Sequence, residues 1–308
     1  MSDALVRNGV LIDDGFAEAF PMKATRIVIT AHTLGWARTA AVSMTGFATS
    51  VIACGCEAGI EREIDAGETP DGRPGVAVLL FSMSGKELAK QLERRVGQCV
   101  LTCPTTAVYA GISEGEPIAL GKNLRFFGDG WQISKVIGGV RYWRVPVMDG
   151  EFVAQESTGV VKGVGGGNLL LLCTDTDSAL AVAEAAVRAM KTLRNVIMPF
   201  PGGLVRSGSK VGSKYAALNA STNDAFCPGL YGLAENSELT PQTRCVMEIV
   251  IDGLTEADVG AAMRAGMDAG IAIGAAGGLL RIAAGNYGGK LGPFHFHLHK
   301  LLGDGAAP

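Results

Sequence analysis

GGGNLLLLCTDTDSALAVAEAAVRAMKTL, residues 165–193, is the stretch that decides the fold class. Its leucine run after three glycines predicts a buried strand, and residues 177–193 have the apolar spacing of a helix, with Thr176 or Asp177 as the N-cap. VIMPF (196–200) and RCVMEIVIDG (244–253) predict two further strands. A helix opened by a capping box at Thr255 and the strand LLRIAAG (279–285) complete a strand, helix, strand, strand, helix, strand order.

The N-terminal half repeats this order with little residue identity. We predict strands at RIVITA, TSVIAC, GVAVLLFS and QCVLTCPTTAV, with helices between the first and second and between the third and fourth. Residues 112–156 contain aromatic-rich hairpin signals and no long helix, so antiparallel strands are expected there. The predicted ranges are strands at 26–31, 49–54, 75–82 and 98–108, and helices at 34–44 and 85–97.

The repeated order predicts an α+β protein with two ferredoxin-like lobes of similar topology, each an antiparallel-containing sheet flanked by helices. Residues 1–156 form the first predicted lobe, with an aromatic-rich hairpin extension. Residues 157–308 form the second, which carries a cationic loop. A doubly wound Rossmann sheet is the alternative, but the glycine run at 163–167 precedes its strand and lacks the final glycine of the dinucleotide fingerprint.

Composition narrows the class of protein. The chain has 308 residues, 48% of them hydrophobic and 19% charged, with a net charge of -3. This is typical of a globular protein with no general attraction to nucleic acid. The sequence lacks an apolar run long enough to span a bilayer and does not begin like a signal peptide. Seven cysteines without a Cys-x2-Cys pair favour reduced thiols in the cytoplasm over zinc.

A polar stretch at residues 198–228 interrupts the second lobe and predicts an anion-binding loop. Cations at a spacing of four alternate with glycines and hydroxyls, which can donate hydrogen bonds to an acidic ligand. A solvated basic loop is the plain alternative. A nucleotide-binding P-loop is disfavoured because Ser209 separates Gly208 from Lys210. The candidate ligand-binding residues are Arg206, Ser207, Ser209, Lys210, Ser213, Lys214, Thr222 and Asn223.

Glu248 is the candidate for proton transfer. It stands in the apolar strand VMEIVI, where alternation places its carboxylate on the face of Val246 and Val250. A carboxylate there must be paired or have a raised pKa, and a raised pKa suits general acid–base catalysis. The alternative is an acid on an edge strand that faces solvent.

Histidines alternate in FHFHLH, residues 294–299. On a strand, His295, His297 and His299 would share one face and could hold a metal, as in a metal hydrolase. A packed or interfacial strand is the commoner explanation, because neither a carboxylate nor a cysteine ligand accompanies the histidines nearby.

Several ordered segments together resemble the formylmethanofuran:tetrahydromethanopterin formyltransferases. The resemblance extends from about residue 9 to 302, and the sequence is longer than the family pattern between about 229 and 243. It also carries His295 where the pattern has an acid. The segments are FAEAF (16–20), ETPDGRPGV (68–76), FFGDG (126–130), GEF (150–152), PFPGG (199–203), SKVGSK (209–214), ASTNDAFCP (220–228), EIVIDGL (248–254) and AGNYGGKLG (284–292).

This resemblance implies two α+β lobes, a homo-oligomer, expected to be a tetramer, and reversible formyl transfer between the amine of methanofuran and N5 of tetrahydromethanopterin. Both carriers are coenzyme substrates with acidic tails, which suits the cations of the polar stretch. Glu248 matches the family's strand carboxylate, and neither metal nor nucleotide takes part. The family also implies a complex with formylmethanofuran hydrolase subunits. The alternative is a coenzyme-binding subunit that does not catalyse the transfer.

Overall fold

The computed structural model describes residues 4–303, which divide into two compact units. The central unit comprises residues 22–163. The terminal unit comprises residues 4–21 and 164–303. The sequence-based division at residues 156 and 157 differs from this one, because the first 21 residues group with the C-terminal part of the chain.

The regular elements are numbered in chain order. The helices are α1 (Leu34–Thr45), α2 (Val51–Cys54), α3 (Gly85–Arg95), α4 (Gly121–Leu124), α5 (Thr176–Met190), α6 (Glu256–Ile273) and α7 (Leu298–Leu301). The strands are β1 (Leu5–Arg7), β2 (Val10–Ile12), β3 (Phe16–Thr30), β4 (Glu57–Ile64), β5 (Gly75–Ser82), β6 (Ala107–Ala110), β7 (Glu116–Ala119), β8 (Ile133–Ile137), β9 (Val140–Val147), β10 (Gly150–Gln155), β11 (Ser157–Cys173), β12 (Val196–Ile197), β13 (Lys210–Val211), β14 (Ala220–Ser221), β15 (Cys245–Gly253), β16 (Leu279–Ala283) and β17 (Phe294–His297).

The central unit is ferredoxin-like. Its strands lie in the order β4–β5–β3–β6, with antiparallel neighbours throughout. Strand β10 joins β6 in parallel, and β9 and β8 extend the sheet as an antiparallel hairpin, as the aromatic-rich middle of the sequence predicts. Helices α1 and α3 bury their apolar faces in one core cluster with the sheet. Its members include Ile27, Ile29, Ala37, Ala41, Met44, Val78, Leu88 and Leu92.

The terminal unit repeats this topology. Its strand order is β12–β15–β11–β16, again antiparallel, and β2 joins β16 in parallel as β10 joins β6 in the central unit. Helices α5 and α6 cover one face of the sheet, where Leu169, Leu171, Ile249 and Ile251 point into their core. The predicted pair of ferredoxin-like lobes of similar topology is therefore confirmed.

The other face of the terminal sheet is covered by the excursion, which we define as residues 198–244, between β12 and β15. Leu170, Leu172 and Ala283 of the sheet form a small apolar cluster with Leu239 of the excursion, and Phe226 packs against it. Arg281 of β16 donates hydrogen bonds to the backbone oxygen of Glu238, at 2.7 Å, and to its carboxylate. Apolar contact and this charged anchor therefore fix the excursion to the sheet.

Two predicted strands are wrong. Within TSVIAC, residues 51–54 form helix α2 because Ser50 accepts a hydrogen bond from the Ile52 N–H, at 3.3 Å, and Gly55 ends the helix with a φ of 73°. The missing strand is β4, eight residues further along the chain. In the segment 98–108 only Ala107 and Val108 are extended, since helix α3 continues as a π-helical turn, Val96–Val100.

Caps explain the helix boundaries in the terminal unit. Thr255 accepts a hydrogen bond from the Asp258 N–H, at 3.1 Å, as the capping box predicts. Helix α5 begins one residue earlier than expected, since Asp175 is its N-cap and accepts from the Ser178 N–H at 2.8 Å. Within residues 4–303, no helix is long and apolar enough to cross a membrane.

Candidate active site

Glu248 lies in the middle of the terminal sheet. Its strand, β15, pairs with Leu170 of β11 on one side, and on the other side its backbone exchanges two hydrogen bonds with Val205 of the excursion, at 2.8 and 2.9 Å. Because Met247 and Ile249 pack against the helix-side core, the Glu248 side chain projects from the opposite face, together with Val246. The carboxylate is thus placed under the excursion.

Burial perturbs this carboxylate. Desolvation raises the pKa of Glu248 from 4.5 to about 7, the direction expected when a charged group loses water without gaining a partner. Within residues 4–303, neither an ion pair nor a hydrogen bond to the carboxylate offsets that loss. The residue is only partly buried, so a ligand can still reach it. A half-protonated carboxyl group near neutral pH can both accept and donate a proton.

The first part of the excursion contains a short hairpin, and most of its residues are exposed. Strands β13 and β14 pair Lys210 with Ser221, and the Ser221 hydroxyl donates to the Gly212 oxygen at 2.8 Å. The Thr222 hydroxyl donates to the Ser207 oxygen at 3.3 Å. Because the backbone of Val205 is hydrogen-bonded to that of Glu248, the chain that leads into the hairpin leaves the sheet beside Glu248.

The cations of the excursion are not equivalent. Lys210 donates to the Asp224 carboxylate at 2.6 Å, and that ammonium group, as the largest cause, lowers the pKa of Asp224. Arg206 and Lys214 are exposed, and within residues 4–303 neither forms an ion pair. Their charges are therefore available to an acidic ligand, whereas the charge of Lys210 is already neutralised.

The remaining predicted residues have mostly local contacts. The Ser213 hydroxyl accepts from the Tyr215 N–H at 3.1 Å. Asn223 lies against Gly208, whose φ of 56° and lack of a side chain permit this approach. Ser209 is exposed, and its side chain opposes the rise that desolvation causes in the pKa of Tyr287.

Tyr287 belongs to a second glycine-rich loop, residues 284–292, whose Gly285 N–H donates to Asn168 Oδ1 of β11 at 2.6 Å. Desolvation raises the pKa of its phenol, the Ser209 hydrogen bond opposes this shift, and the charges of Glu248 and Glu18 add to it. The Tyr287 ring also packs on Phe20, with 5.9 Å between ring centroids. The loop therefore packs its aromatic residue against strand β3.

Glu18 holds this loop in place. Its side chain is completely buried on β3, and its two carboxylate oxygens accept four backbone N–H groups at 2.5–2.9 Å. Desolvation alone would raise the pKa of Glu18, but the four hydrogen bonds outweigh it and lower the pKa to about 2. The donors are the N–H groups of Tyr287, Gly289, Leu291 and Gly292.

Glu18 therefore makes a pH-dependent contribution to stability. Because its pKa falls from 4.5 to about 2 on folding, this stabilisation is complete above pH 4.5 and is lost as the pH falls towards 2. We expect Glu18→Gln to lower the free energy of unfolding by about 2 kcal/mol or more at neutral pH, since hydrogen bonds to a charged acceptor are lost. Urea unfolding of both proteins across this pH range should show the difference shrinking in acid. An equal difference at every pH would contradict this role.

The three histidines do not form the predicted row. His295 and His297 lie on β17, but His299 lies in helix α7. Their ring nitrogens have other contacts, since the Nε2 atoms of His295 and His299 lie 3.1 and 3.0 Å from the backbone oxygens of Gly292 and Ile12. Within residues 4–303, no group of three or more His, Cys, Asp or Glu side chains could hold a metal ion.

Two residues of the anchored loop 284–292 and its support, Tyr287 and Glu18, are not among the site residues predicted from the sequence. The signal for Glu18 was present, because an acid in the alternating segment FAEAF is as exceptional as Glu248 in its own strand. Tyr287 had no such signal, since its role depends on a loop geometry that a single sequence does not display.

Comparison with known proteins identifies relatives over the whole described chain. Residues 5–147 match the family model of formylmethanofuran-tetrahydromethanopterin formyltransferase, and residues 150–301 match the model of its proximal lobe. The formylmethanofuran--tetrahydromethanopterin formyltransferase of Methylococcus capsulatus is 67% identical over 298 residues, which cover 97% of this chain and 100% of the relative.

Two solved structures have the same fold. The first is the formyltransferase/hydrolase complex of Methylorubrum extorquens with methylofuran. One chain of that complex is 51% identical to this chain and superposes with a TM-score of 0.95, and the alignment covers 97% of this chain and 99% of that one. The second is the formyltransferase of Methanosarcina barkeri, with a TM-score of 0.91, 47% identity and coverage of 96% and 100%.

Proposed function

The chain belongs to the formylmethanofuran–tetrahydromethanopterin formyltransferase family and transfers a formyl group between these two coenzymes, and we propose that Glu248 moves the proton that the transfer requires. The observation that carries this proposal is the placement of Glu248 on the face of the terminal sheet that the excursion covers, beside apolar Val246, where burial raises its pKa to about 7. A carboxyl group with that pKa exchanges protons readily at neutral pH.

The chemistry needs one mobile proton. The acceptor nitrogen attacks the formyl carbon, a carbon–nitrogen bond forms, and the carbonyl electron pair moves to oxygen to give a tetrahedral oxyanion. Glu248 takes the proton that the attacking nitrogen must lose. When the oxyanion collapses, the original carbon–nitrogen bond breaks and Glu248 returns the proton to the departing nitrogen. The carboxyl group ends in its starting state, and the same steps in reverse order carry the reverse reaction.

The excursion supplies binding groups for the acidic carriers. Arg206 and Lys214 offer unneutralised charge, and the hairpin that follows Val205, the hydrogen-bond partner of Glu248, carries hydroxyls and backbone N–H groups. The proposed substrate-binding set is Arg206, Ser207, Ser209, Lys210, Ser213, Lys214, Thr222 and Asn223. Of these, Lys210 is proposed to act mainly by fixing Asp224, because its charge is already matched at 2.6 Å.

The activity is tested by a spectrophotometric assay with purified formylmethanofuran and tetrahydromethanopterin. We expect the formyl group to appear on tetrahydromethanopterin in proportion to enzyme concentration, and the reverse reaction to proceed with methanofuran. Binding of both coenzymes without transfer would instead support the alternative, a coenzyme-holding subunit that does not catalyse the reaction.

We also propose that the chain works as a homo-oligomer or with hydrolase subunits. The support is the similar chain in the formyltransferase/hydrolase complex of Methylorubrum extorquens. Gel filtration of the protein from its native host tests this, with mass spectrometry of the eluted peak. Co-elution with a formylmethanofuran hydrolase supports the complex, whereas a peak containing this chain alone at the mass of a tetramer supports the homo-oligomer.

A further inference from the structure

Arg281 of β16 joins three parts of the terminal unit. Its Nε atom donates to Asp13 Oδ1 at 2.6 Å, and Asp13 lies between β2 and β3. Its Nη1 atom donates to the backbone oxygen of Glu238 at 2.7 Å, and its Nη2 atom donates to the Glu238 carboxylate at 3.2 Å. The side chains of Arg281 and Asp13 are only 19% and 21% exposed. The guanidinium group therefore ties the excursion to the terminal sheet from a largely buried position.

A charged side chain is unexpected at this position of the sheet. Arg281 pairs with Leu172 of β11, on the face where Leu170 and Leu239 belong to the apolar cluster under the excursion. An apolar side chain could hold the excursion there by contact alone, and a buried charge is costly unless it is paired and hydrogen-bonded. What an arginine adds is direction, because its planar fork fixes several acceptors in one geometry. Arg281 thus determines where Glu238 lies on the sheet.

Hydrogen bonds connect Glu238 to a cation of the excursion. The backbone N–H of Glu238 donates to the Ala225 oxygen at 3.0 Å. The residue before Ala225 is Asp224, whose carboxylate accepts from the Lys210 ammonium group at 2.6 Å. Lys210 lies on strand β13 of the hairpin. A short series of hydrogen bonds therefore leads from Arg281 to the hairpin.

The hairpin segment, which we define as residues 206–223, is attached chiefly at its two ends. Most of its residues are exposed, and the hydroxyls of Ser221 and Thr222 donate to oxygens within the same segment. The segment begins after Val205, whose backbone is hydrogen-bonded to that of Glu248. It ends before Asp224, next to the residue that Glu238 holds. Arg281 therefore secures the second of these attachments.

We propose that Arg281 is a positioning residue for the binding of the acidic carriers. By fixing Glu238 it sets the orientation of the hairpin segment, and with it the orientation of Arg206 and Lys214 towards a carrier. The proposal rests on the binding role proposed above for these two cations. The charge of Arg281 is itself matched by Asp13 and Glu238. A change at Arg281 should therefore alter coenzyme affinity and leave the transfer step as it is.

The first test compares KM and kcat of Arg281→Gln with those of the wild type. We expect KM for the acidic carriers to rise about fivefold or more, because the two cations are no longer held in place. The value of kcat should stay within about twofold, since ground state and transition state lose the same contacts. A wild-type KM in Arg281→Gln, or a loss of kcat at unchanged KM, would overturn the proposal.

Arg264→Gln is the matched control for this substitution. Arg264 also forms an ion pair, with Asp268, and also donates to a backbone oxygen, that of Leu301 at 2.8 Å. It lies on helix α6, which covers the opposite face of the sheet from the excursion. Arg264→Gln should therefore leave KM unchanged. An equal rise of KM in both variants would show a general effect of arginine removal and would refute the positioning role.

Limited digestion with trypsin measures the positioning directly, because trypsin cleaves after lysine and arginine and requires a locally loosened chain. The peptides are identified by mass spectrometry. We expect cleavage after Arg206, Lys210 or Lys214 to be several times faster in Arg281→Gln than in the wild type, and unchanged in Arg264→Gln. Wild-type cleavage rates within the hairpin segment of Arg281→Gln would refute the positioning role even if KM had risen.

A double-mutant cycle tests whether Arg281 acts through the cations. In the variant that combines Arg206→Ala with Lys214→Ala, the addition of Arg281→Gln should raise KM little further, since the groups that it positions are gone. Full additivity of the effects on KM would refute the proposal. A normal KM in the variant without both cations refutes their binding role, whereas a raised KM there with a normal KM in Arg281→Gln refutes only the role of Arg281.

Arg281→Lys replaces Arg281→Gln if the latter does not fold, as judged by circular dichroism and gel filtration. The ammonium group can keep the ion pair with Asp13, but it lacks the planar fork that holds Asp13 and Glu238 together. KM and the rate of trypsin cleavage should then rise as expected for Arg281→Gln. Wild-type values of both in the folded Arg281→Lys variant would overturn the proposal.

Discussion

Replacing Glu248 with Gln is expected to lower kcat for formyl transfer by about 10²-fold or more. The amide has nearly the same shape as the carboxyl group and fits the same place on β15, but it cannot take a proton from the attacking nitrogen. Since the variant loses no packing, the affinity for each coenzyme should change little. Steady-state kinetics in both directions, together with calorimetric affinities, measure the two effects separately.

Glu235→Gln is the matched control for this experiment. Glu235 is an exposed acid of the excursion, so the same substitution there should leave kcat unchanged. Wild-type kcat in Glu248→Gln would contradict the proton-transfer role and favour a module that only holds the coenzymes.

Removing the two unneutralised cations, Arg206→Ala with Lys214→Ala, is expected to raise KM for the acidic carriers by about tenfold to 10²-fold. Charge-assisted hydrogen bonds contribute about 1.5–3 kcal/mol each when well formed, and exposure to solvent reduces that contribution. The value of kcat at saturation should change little, because these groups bind ground state and transition state alike. Kinetics at several salt concentrations should also show a weaker salt dependence of KM in the variant.

Lys191→Ala is the control for charge alone. Lys191 follows helix α5, on the opposite face of the sheet from Glu248. Lys191→Ala therefore removes one positive charge, as each excursion substitution does, without touching the site. If Lys191→Ala raised KM as much as either single excursion variant, the cations would act through the overall field of the protein and not by contact.

The sequence predicted the two-lobe fold because apolar periodicity and helix caps are local signals. The capping Thr255 and the alternation around Glu248 are readable from neighbouring residues and agree with the structure. Strand β4 was missed for a non-local reason. This strand contains buried acids, so its sequence does not look like that of a buried strand. Glu61 is tolerated there because it forms an ion pair with Arg26 of β3, at 2.6 Å. The sequence instead predicts a strand at the short β-branched run 49–54, of which residues 51–54 form helix α2.

The candidate site was predictable to a similar extent. The cationic hairpin and Glu248 were visible as compositional exceptions in their own segments. The backbone N–H groups that meet the Glu18 carboxylate were not, because residues 284–292 and β3 are brought together only by the fold of the terminal unit. The neutralisation of Lys210 by Asp224 also depends on a hairpin register that spacing alone does not determine.

The central claim is that a single desolvated carboxyl group carries the proton, and the pH dependence of kcat/KM tests it most directly. This profile reports the pKa of groups in the free enzyme. Because burial raises the pKa of Glu248 to about 7, the wild-type value should rise with pH through a midpoint near 7, as the carboxylate forms. In Glu248→Gln the kcat/KM of the residual activity should not rise with pH around pH 7. A rise of kcat/KM with the same midpoint in the variant, or a wild-type profile that is flat through neutral pH, would contradict the role of Glu248 as the proton carrier.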